Sequence, residues 1–451
     1  MTNERPAEPG ALTDIIEDTE AAEPWRTSAL AALRYRDFRL FWAGLVISNT
    51  GTWMQMFGQG YLVVQLAIRD GVPHLAPTYL GLVGLTRALP GLTFGLFGGA
   101  VADRADRRQL LLLTQVGAAL VALALALLTL SGRIDITHVL LLGALSSTIF
   151  AFDAPTRQSM VPRLVGTGDI ASAVGLNSVA FNGAQVVGPV LGGILYIPLG
   201  LGGLFLINSF SFLAVIAALL LMEPVPVSAR RRDVTMLRSI REGLRYVRRD
   251  TVVRWLILLT FASALLARPW IQLLPAFTEH VLHVGALELS WLMGASGAGA
   301  VIGAFATASL GGLQRRGTVL LLSALAMSAL IASFSLQRSM ALALPILALV
   351  GFTTMLFMGL SNTMLQTRTP DHLRGRVMSV HTMVFLGFMP LGVMLLGAIG
   401  TVAGVDVAIL GGSLAVGLLV SYAFVRVRAL REAATMPAAG ARAAARGAAG
   451  H

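Results

Sequence analysis

The stretch Gly99-Ala100-Val101-Ala102-Asp103-Arg104-Ala105-Asp106-Arg107-Arg108 lies between two long apolar runs, Thr78 to Val101 and Gln109 to Leu130. It carries five charges within six residues. Hydrocarbon does not accept such a group without internal partners, so the flanking runs read as membrane-spanning helices joined by a very short loop at a membrane surface. Arginine-bearing loops mark the cytoplasmic side of most membrane proteins. Gly99, four residues before Asp103, gives the helix end a face that a neighbour can approach closely.

Composition points the same way. Of 451 residues, 55% are hydrophobic and 13% charged, and the mean hydropathy is +0.75, far from a soluble globular chain. The net charge of +11 is carried by arginine alone and belongs to loops, so it does not imply nucleic acid. Cysteine is absent, which excludes disulfides, thiolate metal sites and cysteine nucleophiles. With no lysine there is no Walker sequence and no direct ATP drive. Glu279-His280-x-x-His283, with Glu288 nearby, has metal-like spacing in an outer loop but no fuller ligand set, so no metal is expected. No nucleophile, base and orienting acid converge, so the chain is not read as an enzyme, and no cofactor is expected.

Working outward, apolar runs occupy 38–68, 78–101, 109–130, 136–152, 170–197 and 201–222, then 252–277, 287–310, 318–336, 340–365, 377–399 and 405–425. Each approaches the ~20 residues that cross ~30 Å of hydrocarbon. The expected fold is all-α integral membrane, with twelve transmembrane helices in two six-helix halves. The domains read as a disordered acidic tail 1–33, a bundle 34–222, a linker 223–251, a second bundle 252–428 and a disordered tail 429–451. In the linker, Leu237, Ile240, Leu244 and Val247 share one face of a basic amphipathic helix lying at the inner membrane surface. Arginine crowds alternate loops, as at Arg157 and Arg163, Arg315 and Arg316, and Arg374 and Arg376, while the opposite side holds Arg69, Arg133 and Arg338. Both termini are therefore expected in the cytoplasm.

Within the spans, Arg87 and Arg268 either snorkel to the outer surface or line a cavity. Asn49, Gln55, Gln59, Asn177, Asn182, Gln185, Gln272 and Asn362 bond between helices or line the same space. In the fifth span Gly175, Ala184, Gly188, Pro189, Gly192 and Gly193 set small residues along one stripe, which implies close packing on a neighbour.

The opening stretch resembles motif A of the major facilitator superfamily, roughly G-x-x-x-D-R-x-G-R-R, with Asp106 in place of the second glycine. Gly303 to Arg316 resembles a partial second copy without the acid, as expected of two related halves. Gly188-Pro189-x-x-Gly192-Gly193 resembles the antiporter motif C, with Ala184 standing for one glycine. Asp153-Ala-Pro155-Thr-Arg157-Gln158 and Thr369-Pro370-Asp371-His372-Leu373-Arg374-Gly375-Arg376 are similar to the transmembrane secretion effector branch, which includes enterobactin and macrolide exporters. The resemblance spans Leu33 to Arg428.

It implies a monomeric secondary active transporter of the cytoplasmic membrane that exports a small organic molecule (drug, siderophore or metabolite) by alternating access and proton antiport. An importer of the same fold and a non-transporting receptor or sensor are the alternatives. The first, fifth and seventh spans line the cavity in family members, which implies cargo contacts for their polar residues. The motif B arginine is absent between His138 and Phe152, so proton coupling has no assigned carrier; Asp153 is the candidate by position. A cytoplasmic gate of Gly99, Asp103, Arg104, Arg107, Arg108 and Asp153 follows, in which Asp103 latches onto the eleventh span and Arg107 bridges towards Asp153.

Overall fold

A chain in hydrocarbon must satisfy its own backbone, and a helix does so within one segment. The computed structural model describes residues 29–104, 106–223, 236–309 and 315–433, without the side chains of residues 92, 95–104 and 236–240. Its helices are α1 (Arg36–Arg69), α2 (Ala76–Arg104), α3 (Arg107–Leu130), α4 (Ile136–Met160), α5 (Ile170–Leu221), α6 (Met236–Arg249), α7 (Thr251–Ala262), α8 (Trp270–Phe277), α9 (Ala286–Ser309), α10 (Arg316–Ser335), α11 (Met340–Arg368), α12 (Asp371–Ala403), α13 (Val405–Arg426) and α14 (Arg428–Arg431). Among the described residues, nine segments are long and apolar enough to cross a membrane.

One of the nine, Thr167–Leu221, is 55 residues long and bends. Gly200 has φ 63° and ψ −175°, a conformation open to glycine. α1 shows that the chain reverses there. The limb before Gly200 runs parallel to α1: Trp42 Nε1 donates to the Leu176 carbonyl at 2.8 Å, and Gly192 packs on Phe57. The limb after it runs antiparallel, with Gly44 against Ala214 and Gly58 against Phe205.

Helix starts are fixed by carboxylates. Asp106, the departure from the motif glycine, caps α3 by accepting from Arg108 N at 2.9 Å and Gln109 N at 3.3 Å. Asp250 does the same for α7, accepting from Val252 N at 2.8 Å and Val253 N at 3.0 Å. Asp135 caps α4 through His138 N at 2.9 Å, and this backbone donor holds its carboxyl below the usual range. Between α7 and α8 the helix widens into a π turn, Ser263–Ala267. Arg268 N reaches back to the Ser263 carbonyl at 2.8 Å, just before Pro269, which has no N–H to continue the ladder.

Several expected boundaries are corrected. Residues 1–28 lie outside the described residues, but 29–33 pack against the bundle: Ala32 is buried, Ala32 N donates to Ser172 Oγ at 3.1 Å and Arg34 pairs with Asp169. At the other terminus the fold continues past Arg428. Leu430 is fully buried, Gly317 N donates to the Ala433 carbonyl at 3.2 Å, and Thr318 Oγ1 donates to the Arg431 carbonyl at 2.9 Å; residues 434–451 lie outside the described residues. The fourth helix runs to Met160 rather than Phe152, which brings Arg157 into it.

α6 is a helix, as the linker pattern predicts, but its buried face is Gly243 and Val247, and Leu244 is exposed. Leu237 and Ile240 lie outside the described side chains. A Cβ on Gly243 would stand 2.8 Å from the Arg376 carbonyl oxygen, Glu242 pairs with Arg376, and Arg368 Nε lies 3.1 Å from Asp250. Protein, not only the membrane surface, therefore receives the linker helix.

Candidate functional site

A cavity of about 810 Å³ lies between the helices before the linker and those after it. α1, α2, α4 and the first limb of α5 supply one wall; the α7–α8 segment, α9, α11 and α12 supply the other. Its polar lining includes Gln59, Arg87, Gln158, Gln185, Arg268 and Gln272, set among apolar residues such as Trp53, Trp270 and Met389. No Asp or Glu stands among the described residues that line it.

Each arginine is placed by its helix. Arg87 lies one turn before Pro90 on α2, its guanidinium donates to Gln59 Oε1, and its carbonyl accepts from the Ser147 hydroxyl of α4. Arg268 follows the π turn, and its guanidinium carbon lies 5.3 Å from the centroid of the Phe385 ring. Its Nε is buried without a hydrogen-bond partner. Neither snorkels away from the cavity wall.

Of the other residues singled out in the sequence, the structure brings Gln59, Gln185 and Gln272 to this cavity and places the remainder elsewhere. Gln55 accepts from Asn208 Nδ2 at 2.7 Å and ties α1 to the second limb of α5. Asn182 donates to the Ser178 carbonyl at 2.8 Å on its own helix, Asn177 is half-buried, and Asn362 accepts from Gln366 at 3.0 Å. Asn49 accepts from Arg157 at 3.1 Å, which joins it to a buried network rather than the cavity.

That network centres on Asp153, which is 3% exposed. It accepts from Thr114 Oγ1 at 3.0 Å and from Gln115 Nε2 at 2.7 Å, and pairs with Arg157 four residues on. Arg107 instead donates to Ser159 Oγ at 2.9 Å, and Arg108 to the Leu220 carbonyl at 3.1 Å. The partner of Asp153 is thus Arg157, not Arg107, because the longer α4 carries both on one face. Gly99, Asp103 and Arg104 lie outside the described side chains.

The two walls meet at the end of the bundle away from Arg107 and Arg157. There α2 crosses α12: a Cβ on Gly397 would stand 2.3 Å from the Pro77 carbonyl oxygen, and one on Gly81 2.8 Å from Met394 Cα. Thr78 and Thr401 hydroxyls bond at 2.7 Å. α5 crosses α9 in the same way, with Gly193 against Ser290 and Val190 and Val186 against Gly294 and Gly297. Gly188 and Gly192 face α1 instead, on Trp53 and Phe57, Ala184 is buried, Pro189 is buried beside Gly188, and Gly175 has nothing within 4 Å. At the arginine-bearing end Val174, Val179 and Phe181 of α5 are exposed. The cavity is sealed at one end.

Sequence reasoning missed Gln158, because its helix was read as ending at Phe152, and the methionines Met56, Met293, Met355 and Met389 in the wall. Gln158 carried a signal, a polar residue six positions beyond the apolar run. The methionines carried none, since an apolar side chain on a cavity has the same pattern as one facing lipid.

Residues 27–444 match the family model described as transmembrane secretion effector. The multidrug efflux pump Tap of Mycolicibacterium fortuitum is 28% identical over 350 residues, covering 75% of this chain and 84% of Tap. The enterobactin exporter EntS of Shigella boydii serotype 4 (strain Sb227) is 28% identical over 362 residues, covering 78% of this chain and 85% of EntS. A crystal structure of a bacterial homologue of the human lysosomal transporter Spinster, inward-facing and unoccupied, aligns with a TM-score of 0.64 at 16% identity, over 88% of this chain and 96% of that one. That likeness is one of fold.

Proposed function

The chain belongs to the transmembrane secretion effector family of the major facilitator superfamily, and on that premise we propose that it exports a small organic molecule across the cytoplasmic membrane by alternating access. The observation that carries this reading is the cavity of about 810 Å³ between the two halves, closed at one end and lined by Arg87, Arg268 and glutamines. Its volume is that of a site for a drug-sized ligand.

In this reading twelve helices form two six-helix halves, counting α5 as two spans that meet at Gly200 and the α7–α8 segment as one. Arginine-bearing loops face the cytoplasm with both termini, so the seal at Gly81, Gly397 and Gly193 is extracytoplasmic and the conformer is open inward. Cargo enters from the cytoplasm, the halves rock about it, and the seal parts. Export rather than import is supported by the intact Gly188-Pro189-x-x-Gly192-Gly193 sequence and by the names of the relatives, an efflux pump and an exporter. Proton antiport supplies the drive, with Asp153, held by Arg157, Thr114 and Gln115, as the group whose protonation would loosen the cytoplasmic end of α4.

Cells with and without the protein, loaded with a panel of drugs and siderophores, test this. Expressing cells retain less of the true cargo, and a protonophore removes the difference. Equal retention across the panel, or export that persists with a protonophore and without sodium, overturns the mechanism.

A further inference from the structure

The cavity has an electrical imbalance. Arg87 and Arg268 both line it, one from each half, and no Asp or Glu stands among the described lining residues. The nearest acid on the α4 wall, Asp153, turns away from Ala151, Ala154 and Gln158 to its own partners Thr114, Gln115 and Arg157. The Arg87 guanidinium donates to a neutral amide, Gln59, while Arg268 leans on the Phe385 ring with its Nε unbonded.

α12 serves as a ruler for their separation. Gly84, three residues before Arg87, packs against Val393 on the antiparallel α12, and the Arg268 guanidinium lies over Phe385. At a rise of 1.5 Å per residue the two arginines are within about 8 Å of each other along the axis. One ligand seated in the cavity therefore meets both. Two guanidiniums facing one cavity, with no carboxylate among the described lining residues, repel each other, so an anion that enters gains from both. The rest of the wall, with Trp53, Phe150, Trp270 and Met389 among it, suits an apolar body.

We propose that the cargo is an amphipathic organic anion, an aromatic or aliphatic body bearing at least one carboxylate, sulfonate or phosphate held between Arg87 and Arg268. This rests on the export reading and names its substrate class. Because the two cations belong to opposite halves, the anion also neutralises a repulsion between them, so the loaded cavity closes more readily than the empty one.

The test is binding to the purified full chain in phosphatidylcholine nanodiscs, by calorimetry, with two probes of one shape: 2-naphthalenesulfonate and 2-naphthylmethylammonium. The sulfonate is expected to bind at least about tenfold more tightly. Arg87→Gln and Arg268→Gln each remove most of that preference, while Arg87→Lys and Arg268→Lys, which keep the charge, retain it. Equal affinity for the two probes, or a sulfonate affinity unchanged in both glutamine variants, overturns the proposal, and the wild-type comparison does so without any variant having to fold. Replacing phosphatidylcholine by phosphatidylglycerol separates the sources of the anion. Unchanged sulfonate affinity supports a soluble cargo, whereas competitive loss assigns the site to a lipid headgroup and overturns the cargo assignment. Export from cells is scored separately, so a failed charge preference leaves the transport reading standing.

Discussion

The arginine-bearing and seal-forming ends of this molecule hold their helices together by different physics. At the arginine-bearing end the contacts are charged: Asp153 with Arg157 and Arg34 with Asp169 stay among the helices before the linker, and Asp250 with Arg368 and Glu242 with Arg376 tie the linker to the helices after it. At the seal the contacts join the halves and are made by backbone and small side chains: Gly397 on Pro77, Gly81 on Met394, Gly193 on Ser290. Ion pairs fix orientation and are costly to break once buried, so they suit parts that travel together. Close backbone approach gains from contact alone, and it can be made and lost without stranding a charge. In the proposed transport cycle, the difference separates what would move from what would not.

The largest effect should come from breaking a contact inside a half. Asp153→Ala leaves Arg157, 15% exposed beside Asn49, without its carboxylate, a loss of up to about 3–5 kcal/mol, read as a fall in melting temperature of the purified protein. Arg157→Gln in the same chain should restore a good part of it. A melting temperature unchanged by Asp153→Ala would remove the ion pair from the rigid framework.

Next comes the seal. Gly397→Leu drives a side chain into the Pro77 carbonyl, and overpacking of about 1–3 kcal/mol shifts the balance between closed and open seal by roughly five- to 150-fold. Spin labels on the ends of α2 and α12 should report longer distances with the fold intact. If the distribution matches wild type, α2 and α12 do not form the gate.

Gly192→Leu sits between these cases. Its side chain meets the Phe57 ring, 2.7 Å from the Cβ position, within one half, and a ring can turn where backbone cannot. The expectation is impaired transport with normal insertion and a cost of about 1 kcal/mol. Full activity would deny α1–α5 packing any part in the cycle. The smallest effect belongs to Gly175→Ala, where nothing lies within 4 Å; stability and transport should stay within about 0.5 kcal/mol of wild type, and a larger loss would place an unseen partner at that face.

The two ends were also unequally legible. Apolar runs and arginine placement speak directly of helices and of sides, because burial in hydrocarbon leaves little choice of structure. The charged end spoke less clearly. Asp106 looked like a defect in a glycine position, yet its carboxylate caps α3, a role that spacing alone permits to any Asp. Arg157 looked like a loop charge because the apolar run stops at Phe152, although an amphipathic helix continues beneath it to Met160. Leu430 was lost in an Ala- and Arg-rich tail, where one buried side chain leaves no periodic trace. In the cavity, Arg87 and Arg268 were visible as rare charges in apolar runs, but their relation to each other was not, since it depends on two halves meeting across more than one hundred residues of sequence.

The glycine seal has a consequence for how such a protein changes over generations. At Gly397 or Gly81 the constraint is on volume, and a single methyl group is already too much. In the cavity wall the constraint is on charge and shape, which many side chains satisfy. Inheritance can therefore explore new cargoes at positions such as Gln59, Gln185 and Gln272 while the machinery of opening stays fixed, so that one moving frame becomes a template from which a range of specificities diverges.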